Sequence, residues 1–111
     1  LPALELLDLC GCSALEELPA DVGQLHSLKS LILNGCASLR CLPRALAPLP
    51  ALELFDLRRC RALQKLPADI GQLNSLKCLE LSLCDHLRCL PESVAQLASL
   101  QELWLTTSKA R

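Results

Sequence analysis

The chain has 111 residues, enough for one domain, and carries 11 basic against 12 acidic side chains; 51% of it is hydrophobic, with one Phe and one Trp as its aromatics. A formal charge of -1 offers no global attraction for nucleic acid or an anionic membrane. No apolar run approaches the roughly 18 residues that a membrane-crossing helix needs, and no secretory leader is recognisable.

In chain order, one pattern returns. Leu-x-x-Leu-x-Leu-x-x-Cys opens at Leu4, Leu28, Leu52 and Leu76, and a copy at Leu100 has Ser108 where the cysteine would stand. Leu1-Pro2-Ala3-Leu4 matches Leu49-Pro50-Ala51-Leu52 and reads as the tail of a preceding unit. The first unit, Leu4 to Ser27, has its motif at Leu4, Leu7, Leu9 and Cys12. Alternation around Leu7 and Leu9 is the period of a strand, so Asp8 between them faces out. The return half, Leu18-Pro19-Ala20-Asp21-Val22-Gly23-Gln24-Leu25, opens with a proline suited to a first helical turn. Asp21 near that start complements the local peptide dipoles. A turn or two of 3₁₀ or α helix is expected, ending near Gly23 or shortly after.

The second unit, Leu28 to Ala51, has the return Leu42-Pro43-Arg44-Ala45-Leu46-Ala47-Pro48-Leu49-Pro50. Its extra prolines make it the least helical return expected. The third, Leu52 to Ser75, puts Phe55 at a leucine position, and the fourth, Leu76 to Ser99, shares Leu-Arg-Cys-Leu-Pro with the second. Residues 2–49 align without a gap on residues 50–97, as a duplicated two-unit block would. A fixed period with this leucine spacing is the mark of a leucine-rich repeat solenoid. The expected fold is α/β: a right-handed solenoid with a curved parallel sheet on its concave side and short 3₁₀ or α turns on its convex side. Residues 1–111 are expected to form one domain fragment of about four and a half units, with uncapped ends.

The full unit reads Leu-x-x-Leu-x-Leu-x-x-Cys-x-x-Leu-x-x-Leu-Pro-x-x-[Ile/Val]-Gly-x-Leu-x-x, with Ala in place of Gly in the second and fourth units. It resembles the repeats of plant intracellular immune receptors, the nucleotide-binding leucine-rich-repeat disease-resistance proteins, particularly those with a Toll/interleukin-receptor domain. The resemblance implies a protein-recognition or autoinhibitory section of a cytoplasmic receptor. The cysteine ladder, the order Leu-Pro-x-x-[Ile/Val]-Gly and the absence of an Asn-x-Ser/Thr acceptor favour the cytosol. A cytosolic Ras-group signalling scaffold and a structural unit stacking end to end on another copy are the alternatives.

Of the eight cysteines, Cys12, Cys36, Cys60 and Cys84 recur at the repeat period. They are expected to form a buried structural ladder in which each thiol donates weakly to a neighbouring loop carbonyl. Cys10 and Cys78 fall on the outward strand side, and Cys41 and Cys89 on the convex side; a redox role is open for these four. No paired Cys-x-x-Cys motif suggests a metal site. His26 and His86 have no nucleophile placed beside them, and no phosphate-binding glycine loop is present. Neither an enzyme nor a cofactor is expected.

The candidate site is the concave face, where outward positions line up in columns. The column between the strand leucines is Asp8, Ile32, Asp56, Glu80 and Trp104. One step earlier come Leu6, Ser30, Leu54, Cys78 and Glu102; one step later come Cys10, Asn34, Arg58, Ser82 and Thr106, then Gly11, Gly35, Arg59, Leu83 and Thr107. Asp8, Asp56 and Glu80 make an acidic stripe with Arg58 and Arg59 beside it and Trp104 at one end. Ile32, Asn34 and these six residues are the expected protein contacts, since Trp and Arg are frequent interface anchors. The bland reading is a solvated face on which Arg58 pairs with Glu80 for at most about 1 kcal/mol.

Overall fold

In the computed structural model, which describes residues 4–43, 49–87, 91–97 and 99–104, each motif yields a three-residue strand. These are β1 Leu6–Asp8, β2 Ser30–Ile32, β3 Leu54–Asp56, β4 Cys78–Glu80 and β5 Glu102–Trp104. They form one parallel sheet in the order β1-β2-β3-β4-β5. Register follows the sequence period: Leu7 lies beside Leu31, Leu31 beside Phe55, Phe55 beside Leu79 and Leu79 beside Leu103. Each strand is entered through a shared acceptor. The carbonyl of Glu5 takes the amides of Lys29 and Ser30 at 2.8 and 3.0 Å, and Lys29, Glu53 and Lys77 repeat that arrangement toward the following unit.

The return halves are 3₁₀ turns over Ala20–Gln24, Ile70–Gln72 and Glu92–Gln96. Their bonds reach three residues back, as from the Val22 amide to the Pro19 carbonyl and from Leu25 to Val22, which defines 3₁₀ rather than α geometry. Pro19 and Pro91 sit one residue ahead of the position expected for them. Each has an extended ψ, 148° and 151°, so the ring fixes the last extended residue rather than the first helical one. In the second return, residues 44–48 lie outside the described residues, and so does the expectation of least helicity there.

The core is the stack of inward leucines. Leu28, Leu31, Leu33, Leu52, Phe55, Leu57, Leu76 and Leu79 are all fully buried. Burial weakens toward the two sides of the described stack: Leu7, Leu9 and Leu25 are partly buried, and Leu4 and Leu103 are 39% and 38% exposed. Truncating a central inward leucine to alanine costs about 2–5 kcal/mol, so these layers outweigh any single turn or surface contact in holding the repeat.

After each of β1 to β4 the chain reverses through a four-residue turn closed by an amide three residues on, Cys12 to Leu9 at 3.1 Å, with Cys36 to Leu33, Cys60 to Leu57 and Cys84 to Leu81 equivalent. The third residue of every turn is left-handed: Gly11 at φ 78°, Gly35 at 83°, Arg59 at 60° and Leu83 at 64°. Glycine takes this conformation freely, whereas a side chain is strained there by roughly 1–2 kcal/mol. The first two units therefore have the relaxed residue and the last two do not.

The ladder thiols span the units. Cys36 Sγ donates to the carbonyl of Leu9 at 3.3 Å, Cys60 to Leu33 at 3.2 Å and Cys84 to Leu57 at 3.0 Å. Each of those carbonyls already accepts the turn amide of its own unit, so both lone pairs are used. Burial raises all three thiols above their ordinary value, Cys60 to about 12 and Cys84 to about 11. Cys12 is half-buried, and Cys10 and Cys41 are exposed.

Four outcomes are expected. Arg59→Gly should raise stability by about 0.5–1 kcal/mol in urea unfolding, and Gly11→Ala, whose new Cβ meets nothing within 4 Å, should lower it by about 1 kcal/mol through backbone strain alone. In the native chain at pH 8, iodoacetamide should label Cys10 and Cys41 far ahead of Cys60 and Cys84. Because the folded thiols ionise later than unfolded ones, their contribution is complete below the ordinary value of 9.0 and is lost as pH rises toward 12. Mass spectrometry of the labelled chain and an unfolding series against pH read these directly.

Candidate partner-binding face

The outward columns form as the period requires. Asp8 pairs in register with Ile32, Ile32 with Asp56, Asp56 with Glu80 and Glu80 with Trp104; beside them run Leu6, Ser30, Leu54, Cys78 and Glu102. The first column mixes exposed Asp8 and Trp104 with half-buried Ile32 and Glu80. Asn34 is half-buried, and Arg59 is exposed on its left-handed turn. Thr106, Thr107 and Ser108 lie outside the described residues, as does Cys89.

Asp56 departs from the expected open stripe. Only 4% of it is exposed, because Arg58 folds over it. Arg58 Nη2 meets Asp56 Oδ2 at 2.9 Å, Arg58 Nε meets Oδ1 at 3.1 Å, and the Arg58 backbone amide donates to the same Oδ1 at 3.0 Å. The partner of Arg58 is thus Asp56, two residues back, and not Glu80. That pairing raises the already high guanidinium pKa of Arg58, the Asp56 hydrogen bonds being the larger cause. Asp8 makes the backbone half of this arrangement, accepting the Cys10 amide at 2.9 Å. A side-chain carboxylate capping an amide two residues on is a turn-forming device. In the first and third units the acid therefore helps build the reversal that follows it.

Glu80 is one methylene longer and takes the Ser82 hydroxyl at 3.1 Å. Glu102 accepts the Trp104 indole N–H at 3.5 Å and the thiol of Cys78 across the strand pair. Burial and that bond push the Cys78 thiol up, so Cys78 is half-enclosed in the face rather than projecting from it. Glu102 was not among the expected contacts, and neither was any other member of its column, although that column was read as facing outward. A further outward column, Glu5, Lys29, Glu53, Lys77 and Gln101, alternates in charge along the sheet. The residue directly after each opening leucine was its signal.

The other candidate chemistry lies elsewhere. On the loops leading away from the sheet, Arg61 Nη1 pairs with Asp85 at 2.7 Å and His86 Nδ1 donates to the Arg61 carbonyl at 2.6 Å, which gives His86 a structural bond to the previous unit. Cys41 lies beside Lys65 in a cleft of about 250 Å³ on the return side. Among the described residues no cluster of His, Cys, Asp and Glu is arranged to hold a metal ion, and no helix is long and apolar enough to cross a membrane.

Comparison with known proteins agrees with this geometry. A family model described as a leucine-rich repeat region matches residues 1–111. No curated protein matches. Among solved structures, a leucine-rich repeat protein of Leptospira interrogans is 31% identical with a TM-score of 0.62, the match covering 95% of this chain and 32% of the other. The chain thus spans about a third of the length of that relative. With its period, its register and its full-length match together, the chain belongs to the leucine-rich repeat family.

Proposed function

We propose that the chain is a protein-binding module whose concave face supplies the contacts. One observation carries the reading: inward positions barely change from unit to unit, while the register-true outward column runs Asp8, Ile32, Asp56, Glu80, Trp104. A solenoid that only needed to stack would have no use for such variety on its open side. Since Asp56 and Arg58 are engaged with each other, the residues left to meet a partner are Ile32, Asn34, Arg59, Glu80 and Trp104, with Asp8 at the other side. The repeat family is built of binding modules, and the reading needs no catalysis.

The finer reading is a ligand-recognition or autoinhibitory section of a plant-type intracellular immune receptor. It rests on the return-half pattern, and the bacterial relative does not favour that lineage over others. A cytoplasmic location is supported by the ladder: Cys36, Cys60 and Cys84 are engaged as hydrogen-bond donors, a role that disulfide formation would remove.

A photoreactive residue at Ile32 should yield partner adducts in extract from the source cells, and one at the exposed convex position Asp69 should not; equal yields would place binding elsewhere. Arg58→Ala should cost about 1–2 kcal/mol in urea unfolding, because it strips a nearly buried carboxylate of its cation. Asp8→Ala, losing one exposed turn bond, should cost about 0.5–1 kcal/mol.

A further inference from the structure

The corner of the face at β4 and β5 combines features that the fold does not explain. Trp104 is the single Trp of the chain, and 48% of it is exposed. It stands in the outward column of the sheet, on the side away from the buried leucine layers. Glu80 is its register partner, with α carbons about 4.8 Å apart by strand spacing. Glu102 stands two residues earlier on the same side, its carboxylate held against the indole N–H.

Among the described residues neither carboxylate has an ion pair. The nearby guanidinium of Arg58 is closed onto Asp56, and the donors actually reaching Glu80 and Glu102 are a hydroxyl, an indole and a thiol. Two unpaired negative charges beside an open aromatic ring are complementary to a cation that can stack. A guanidinium fits best, since it is planar, lies flat on an indole and engages carboxylates through several N–H groups at once.

Building on the binding-face reading, we propose that the protein partner docks a basic segment here, placing an arginine side chain on Trp104 between Glu80 and Glu102. The half-buried Leu54 and Cys78 in the neighbouring column give the methylenes of that side chain an apolar floor.

Because Trp104 is the only indole, its fluorescence reports on the corner alone. Blocked tetra-arginine should change it saturably, tetra-lysine more weakly, and tetra-glutamate not at all. The Glu80→Gln/Glu102→Gln double variant should bind tetra-arginine at least about fivefold more weakly, the loss expected of a partly exposed charge contact. Asp69→Asn, at an exposed position on the convex side, should leave binding unchanged. In the unmodified chain, added salt should weaken the response, a test that needs no variant. Absence of a saturable response, indifference to salt, or equal affinity in the double variant overturns the proposal. If adducts at Ile32 persist while tetra-arginine fails, the binding face stands and only the arginine site falls; loss of those adducts removes the face itself.

Discussion

The structure depends on one shared acceptor. The carbonyls of Leu9, Leu33 and Leu57 each take the amide of their own turn and the thiol of the next unit. The first bond turns the chain out of its strand; the second ties that turn to the one stacked on it. In each of these turns the residue just before the bonded amide is left-handed, one of the conformations in which the amide three residues on meets the carbonyl. A thiol suits the second bond because it is small enough to lie under the turn and apolar enough to be buried without a full desolvation penalty. A carboxylate or amine in its place would leave charge or unmet hydrogen-bonding capacity in the core. The spacing of Leu9, Gly11 and Cys12 therefore defines the unit as much as the leucine count does.

Much of this was legible in the residues, for a definite reason. Inward positions obey a hard constraint, the volume of one stacked layer, and Leu7, Leu31, Phe55 and Leu79 keep to it so closely that period and register follow. Cys36, Cys60 and Cys84 were legible on the same ground, down to the kind of partner their thiols meet. What the pattern obscured was the backbone of the turn. Gly11 and Gly35 advertise a left-handed residue, but Arg59 and Leu83 hide it, and the four read as one more outward column. Asp56 misled for a related reason: alternation says which side of a strand a residue leaves from, and nothing about whether a neighbour two residues on will fold back over it.

The acidic stripe consequently divides into two classes of residue. Asp8 and Asp56 have a carboxylate at the length that reaches the amide two residues ahead, and they are absorbed into the turns of the first and third units. Ile32 and Glu80, in the second and fourth, make no such bond, and their turns close on the carbonyls of Leu33 and Leu81 without one. The two-unit duplication visible in the sequence thus has a structural counterpart: alternate units support the reversal from the strand and leave the intervening positions free to differ.

That division decides where charge on this face has its effect. The Asp56 carboxylate is nearly buried and already satisfied, so a partner approaching it would have to displace Arg58 and expose a costly group. Glu80 and Glu102 have given up little to the fold, since their bonds go to weak or neutral donors, and a cation arriving there competes only with a hydroxyl, an indole N–H and a thiol. Electrostatic attraction is largest where desolvation is partial and no internal cation competes. The edge at Trp104 meets both conditions, whereas the centre of the sheet, although it is richest in charge, fails the second. Net charge along the column would point a ligand toward the middle, and the pairing of Arg58 with Asp56 redirects it to β4 and β5.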